Sequence, residues 1–236
     1  MKKTFAQFFM LLALVCLGQQ VQAQTVDGNG KMKTENRNVS SFSSLQVGGG
    51  FEIVLTQGAS ESLKLEAEEN VLPLIESSVQ NGVLSIKTKS NLRNAKTLKA
   101  YVTVKDLKSL DLSGGIKLTS TNTINANALK FDFSGGINVK MDINVKQLTA
   151  DVAGGTDITL SGQAETVKLD LAGAASLKAI ELKTDYFTID AAGASNAKVN
   201  VAKELNVEAA GIVSIDYKGS PKVKHSGMGK VRPIKS

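Results

Sequence analysis

Asp132-Phe-Ser-Gly-Gly-Ile-Asn-Val139 is one of six versions of a single phrase, and its recurrence decides the reading of the fold. The others are Asp111-Leu-Ser-Gly-Gly-Ile-Lys-Leu118, Asp151-Val-Ala-Gly-Gly-Thr-Asp-Ile158, Asp170-Leu-Ala-Gly-Ala-Ala-Ser-Leu177, Asp190-Ala-Ala-Gly-Ala-Ser-Asn-Ala197 and Glu208-Ala-Ala-Gly-Ile-Val-Ser-Ile215. Their acidic residues lie 21, 19, 19, 20 and 18 positions apart. A fixed period of this size marks repeated units that each stack on the last. The acid is followed, three positions on, by glycine in every copy: Gly114, Gly135, Gly154, Gly173, Gly193 and Gly211. Apolar residues flank the acid on both sides, and Ser or Ala precedes the glycine. Period-two alternation argues for strands, and the glycine marks a structural corner between two of them. Like residues of successive copies then stack about 4.8 Å apart, the spacing of neighbouring strands. The expectation is an all-β, right-handed parallel β-helix-like solenoid with about 18–21 residues per coil.

Working outward, Leu45-Gln-Val-Gly-Gly-Gly-Phe-Glu-Ile53 aligns with Leu110-Asp-Leu-Ser-Gly-Gly-Ile-Lys-Leu118 as an early copy lacking the acid. Alternating apolar residues continue at Leu63, Leu65 and Ala67, at Leu84 and Ile86, and at Val102 and Val104. Residues 69–79 break the alternation with Val71, Leu72, Leu74, Ile75 and Val79 around Pro73, which predicts one short helix there. Asn81-Gly82 supplies a turn. The organisation read from the chain is a signal peptide over 1–23, a flexible leader over 24–38 and a solenoid over 39–236. Within the last, 39–108 is less regular, 109–218 holds the regular coils and 219–236 is a C-terminal tail. The signal peptide rests on Lys2 and Lys3, the apolar run from Phe8 to Leu17 and the small-residue site Val21-Gln-Ala23. That run is too short to span a bilayer.

The one cysteine, Cys16, falls inside this leader, so the remaining chain has no disulfide to stabilise it. The chain carries 28 Lys and Arg against 22 Asp and Glu, and the modest excess points to a solvated surface rather than a nucleic-acid partner. Two basic stretches stand out, Lys87 to Lys108 and the segment after Asp216. No tryptophan and only three tyrosines are available as platforms for sugars.

The sharpest candidate site is the acid column: Asp111, Asp132, Asp151, Asp170, Asp190 and Glu208. It reads either as a linear cation site or as a solubilising outer face that discourages edge-to-edge association. A polar column follows it at Lys117, Asn138, Asp157, Ser176, Asn196 and Ser214. The glycine-rich calcium repeat has no counterpart here, and one histidine, His225, with no cysteine beyond Cys16 offers no zinc set. The acids repeat rather than converge, so no catalytic residue, metal or cofactor is expected.

Ser134-Gly-Gly-Ile-Asn138 and Ser113-Gly-Gly-Ile-Lys117, together with Asn70-Val-Leu-Pro-Leu-Ile-Glu76 and Asn81-Gly-Val-Leu-Ser-Ile86, resemble the head GIN domain of putative auto-transporter adhesins. The resemblance covers most of Val39 to Ile234. It implies an exported protein of the Bacteroides group of Gram-negative bacteria, without catalytic residues, located in the periplasm, on the outer-membrane surface or outside the cell. No membrane β-barrel region is expected within these residues. The resulting reading is a non-enzymatic solenoid that presents a surface for adhesion or for contact with envelope polymers or proteins. Its rivals are a polysaccharide-binding or polysaccharide-degrading β-helix and a structural envelope protein without a specific ligand. The candidate partners are host or envelope glycans or proteins. Self-association into a homo-oligomer through an uncapped end is a further expectation.

Overall fold

The computed structural model describes residues 25–234, so the expected signal peptide lies outside the described residues. Extended chain accounts for nearly everything. In order come β1 (Thr25–Asp27), β2 (Met32–Arg37), β3 (Ser44–Gly49), β4 (Glu52–Gln57), β5 (Ser62–Glu68), β6 (Ile75–Gln80) and β7 (Val83–Thr88). They are followed by β8 (Asn91–Arg93), β9 (Leu98–Val104), β10 (Ser109–Gly114), β11 (Lys117–Ser120), β12 (Ile124–Lys218), β13 (Lys222–Gly227) and β14 (Lys230–Pro233). β12 is one long extended run that bends at its glycines.

The copies of the phrase pair in parallel and in register. Leu110, Asp111 and Gly114 of β10 face Phe131, Asp132 and Gly135 of β12. On the other edge they face Leu45, Gln46 and Gly49 of β3. The early copy therefore pairs as its sequence aligns, and Ile53 of β4 faces Leu118 of β11.

The wider topology departs from expectation. Twelve strands form one sheet whose path runs β2-β5-β9-β4-β11-β12-β10-β3-β7-β6, with β13 and β14 added to β12. The β2/β5, β5/β9 and β6/β7 ladders are antiparallel, whereas those among β3, β4, β10, β11 and β12 are parallel. Partners are offset by 65 residues between β3 and β10, 21 between β10 and β12, and 16 between β12 and β14. A nearly closed, barrel-like sheet of mixed strand order thus replaces the expected right-handed parallel β-helix solenoid. The physical reason lies in the connections. A tight turn reverses the chain between β6 and β7, and β5 returns against both β2 and β9, so these strands enter the sheet antiparallel.

Two local expectations also change. The helix expected over 69–79 shrinks to one 3-10 turn, Leu72–Leu74, with Pro73 at its start. A single turn gives little return on helix nucleation. Ile75 to Gln80 instead pair with β7 through a hairpin whose Asn81 and Gly82 take φ of 51° and 75°. Residues 24–38, expected as a flexible leader, contain β1 and β2. β2 pairs with β5, and β1 pairs with β8 in a separate two-stranded sheet.

The inward residues form one core. Leu110, Leu112, Ile116 and Leu118 are buried, as are Phe131, Phe133, Ile137 and Val139 in the next copy. Burying each such side chain stabilises the fold by about 1.5–3 kcal/mol. Phe131 and Phe133 stack with ring centroids 5.0 Å apart. Inward volume falls along the chain, to Ile189 and Ala191 and then Val207 and Ala209, all still buried.

Candidate binding surface

The outer wall takes its shape from the glycines. Gly114, Gly135, Gly154, Gly173, Gly193 and Gly211 adopt φ between 102° and 118°, where side chains are rarely tolerated. A Cβ on any of them would lie 2.4–2.8 Å from the carbonyl oxygen of the glycine in the neighbouring copy. The corner is therefore bare and stacked backbone on backbone. Beside it run exposed Ser113, Ser134, Ala153, Ala172 and Ala192, all small.

The acid column borders this smooth strip. Asp111 and Asp132 are ladder neighbours, and Gln46 extends the column by donating from Nε2 to Asp111 Oδ2 at 2.9 Å. Asp132, Asp151, Asp170 and Asp190 come together with Ser134, Ala153, Ala172 and Ala192 along one shallow groove of about 360 Å³. Glu208 stands apart from that groove and faces Ser226 of β13. Lys130 Nζ lies 3.4 Å from Asp151, and Lys168 Nζ 3.7 Å from Asp170, which offsets the repulsion between stacked carboxylates. Among the described residues, no three His, Cys, Asp or Glu side chains gather as a metal cluster.

The polar column that follows the glycines forms a second outer ladder. Lys117 faces Asn138 on one side and Glu52 on the other. Ser176 Oγ donates to Asn196 Oδ1 at 3.2 Å. His225 is exposed on β13, opposite Val207. Much of the basic character read from sequence is paired: Lys87 and Lys89 with Glu76, Arg93 with Asp27, Lys99 with Glu52, Lys224 with Glu204, and Arg232 with Asp216. The hydrogen bond from Lys224 holds the Glu204 carboxyl below its usual range. A hydrogen bond to Asp185 raises the Lys203 ammonium, and one to Glu66 raises the Tyr101 hydroxyl.

Two polar clusters have no precedent in the sequence reading. In the first, Arg93 makes a bidentate pair with Asp27 at 2.9 and 2.7 Å, and Asn94 donates to Asp27 Oδ1 at 3.1 Å. The Arg93 hydrogen bond lowers the Asp27 carboxyl from its usual value. This cluster ties the strap 25–30 over Glu68, a fully buried carboxylate that accepts from Lys96 N–H at 3.0 Å. Gly28 sits directly on it, where a Cβ would come 2.5 Å from Glu68 Oε1. The second cluster centres on Gln57, which bonds Asn122, Asn125 and the Lys105 carbonyl. The polar turns at Asp27-Gly-Asn-Gly30 and Arg93-Asn94 were the visible signal for the first; a lone Gln57 gave none.

The chain was compared with known proteins. The family described as "Putative auto-transporter adhesin, head GIN domain" matches residues 41–221. No curated protein matches the chain. Among solved structures, a putative adhesin from Bacteroides fragilis is 22% identical with a TM-score of 0.83, covering 89% of this chain and 100% of its own. A putative lipid binding protein from Parabacteroides distasonis is 19% identical with a TM-score of 0.70, covering 90% and 100%. A putative adhesin from Parabacteroides merdae is 20% identical with a TM-score of 0.66, covering 90% and 100%. At these identities the likeness is one of fold.

Proposed function

Because the chain belongs to the family of putative auto-transporter adhesins with a head GIN domain, we propose that it is an exported, non-enzymatic protein whose outer wall makes adhesive contact with envelope or host glycans or proteins. The observation that carries this reading is the groove shared by Asp132, Asp151, Asp170 and Asp190 with Ser134, Ala153, Ala172 and Ala192. Small side chains let a flat partner approach closely. The carboxylates accept hydrogen bonds from hydroxyls or pair with cationic groups, and their regular spacing suits a repeating or extended ligand. Binding spread over several copies also gains from multivalency.

The test is a glycan and matrix-protein binding screen with the full chain and the triple variant Asp132→Asn, Asp151→Asn, Asp170→Asn. The expected result is at least one retained partner whose binding weakens about tenfold or more in the variant, a change of about 1.4 kcal/mol. A chain that retains no partner would favour a structural envelope role. Turnover of an acidic polysaccharide, abolished by changing one acid, would favour the polysaccharide-degrading reading.

A further inference from the structure

A groove of about 960 Å³ opens where the chain takes a short cut. Only residues 105–108 separate β9 from β10, whereas residues 121–129 separate the end of β11 from Lys130, where the β10/β12 ladder begins. The longer path leaves a stretch of β12, Ala126 to Leu129, with no preceding strand to pair with among the described residues. These residues line the groove. An unpaired strand edge presents N–H and C=O groups to whatever lies beside it.

The two ends of this edge show what satisfies it. At Asn125 the Gln57 carboxamide accepts from the N–H at 2.8 Å and donates to the C=O at 3.1 Å, as a peptide group of a neighbouring strand would. Gln57 is itself fixed by donating to the Lys105 carbonyl at 2.9 Å. At the other end Lys130 N–H donates to the Lys108 carbonyl at 2.9 Å. Amide groups thus occupy both flanks, and the four residues between them cover about 13 Å at the rise of a strand.

We infer that this recessed edge, Ala126 to Leu129, takes up an extended polypeptide segment of a partner as an added strand. Amide main chain is the chemistry that matches it, since the flanking positions are already filled by amides; a sugar carries no such alternation of donor and acceptor at strand spacing. Exposed Asn127 and Ala128 leave room for the incoming backbone. Lys105, Lys108 and Lys130 on the rim are balanced by Glu61, Asp106 and Asp151, so the favoured segment is uncharged and rich in β-branched residues. This site goes beyond the outer-wall reading and does not depend on it.

The test pans the immobilised full chain against a phage-displayed library of short random peptides. Enriched sequences are then remade as synthetic peptides, each with and without N-methylation at alternate residues. The expected result is enrichment of uncharged, β-branched peptides whose binding falls about tenfold or more on N-methylation and on Ala128→Arg. Ala172→Arg on the outer wall leaves that binding unchanged. Should Ala128→Arg fail to fold, hydrogen exchange in the unmodified chain decides: bound peptide must slow the amides of residues 126–129 about tenfold or more. Enrichment of no peptide overturns the inference. So do binders indifferent to N-methylation, or binders that leave exchange at 126–129 unchanged. Loss of outer-wall binding in the aspartate variants leaves it untouched.

Discussion

Residues 109–218 and most of residues 25–108 build one sheet by different means. The first region repeats one solution: apolar residues inward, a bare glycine corner, an acid outward, each set in register with the next. The second region mixes parallel ladders with antiparallel ones, including the β6/β7 hairpin, and ties its strands with particular pairs, among them Asp27 with Arg93, Glu76 with Lys87, and Tyr101 with Glu66. Repetition makes each copy the template for its neighbour, so one backbone geometry must hold in every copy. Outside the early copy at Leu45 to Gly49, the irregular end carries no such constraint.

The glycines sharpen this contrast most. Gly49 opens the stack, and a Cβ there would meet only the Phe51 ring at 3.7 Å. Gly135 lies within the stack, where a Cβ would come 2.5 Å from the Gly114 carbonyl oxygen. Gly49→Ala therefore carries mainly the strain of a positive φ, about 1–2 kcal/mol. Gly135→Ala adds a backbone clash and should cost about 4 kcal/mol or more, or abolish soluble protein. Paired thermal melts check this, and equal losses for the two variants would refute the stacked corner.

This stacking was legible because identical residues recur at a near-constant interval. The pairing of Leu45 with Leu110 and of Asp111 with Asp132 could be read from the phrase alone. Strand order could not. The 65-residue separation of β3 from β10 and the position of β9 between β4 and β5 leave no local trace. β2 escaped notice because its side chains are mostly exposed and its residues, Met32 to Arg37, carry no alternation of apolar types. The apolar residues around Pro73 looked helical because their strand partners lie across a hairpin. The acid column was visible as a column, whereas its convergence on a groove depended on the small residues beside it. Gln57 with Asn125, and Asp27 with Arg93, join single residues 68 and 66 positions apart, beyond the reach of pattern.

Core truncation should blur the contrast instead. Phe131 in the repeats and Leu84 in β7 are both fully buried. Phe131→Ala should cost about 3–5 kcal/mol and Leu84→Ala about 2–5 kcal/mol, measured by denaturant unfolding. Similar losses would show that the regions differ at their corners and not in their packing.

The strap supplies a smaller effect confined to the irregular end. Gly28→Ala forces a Cβ against Glu68, so amide exchange in Thr25–Asp27 should rise while the melting temperature of the repeats holds. Acid should do the same to Asp27. Its carboxyl is lowered from 3.8 by the Arg93 hydrogen bond, so its contribution is complete above that value and fades as the pH falls below it. Glu204, lowered from 4.5 chiefly by Lys224, should act with the same sign at the far end. Asp27 is exposed and Glu204 half-buried at the surface, so local exchange against pH is the proper readout rather than global unfolding. The smallest effect is expected from Ala153→Ser on the outer wall, within about 0.5 kcal/mol.

β13 and β14 each pair with β12, and their outer sides, which have no partner strand among the described residues, bear directly on growth into filaments. Lys222 and Lys230 stand on those strands, and Pro233 has no N–H to lend to a newcomer. Two molecules meeting through these sides would bring ammonium against ammonium and leave carbonyls without donors. At high concentration this side should therefore resist edge-to-edge pairing, and no fibre should propagate through β13 and β14.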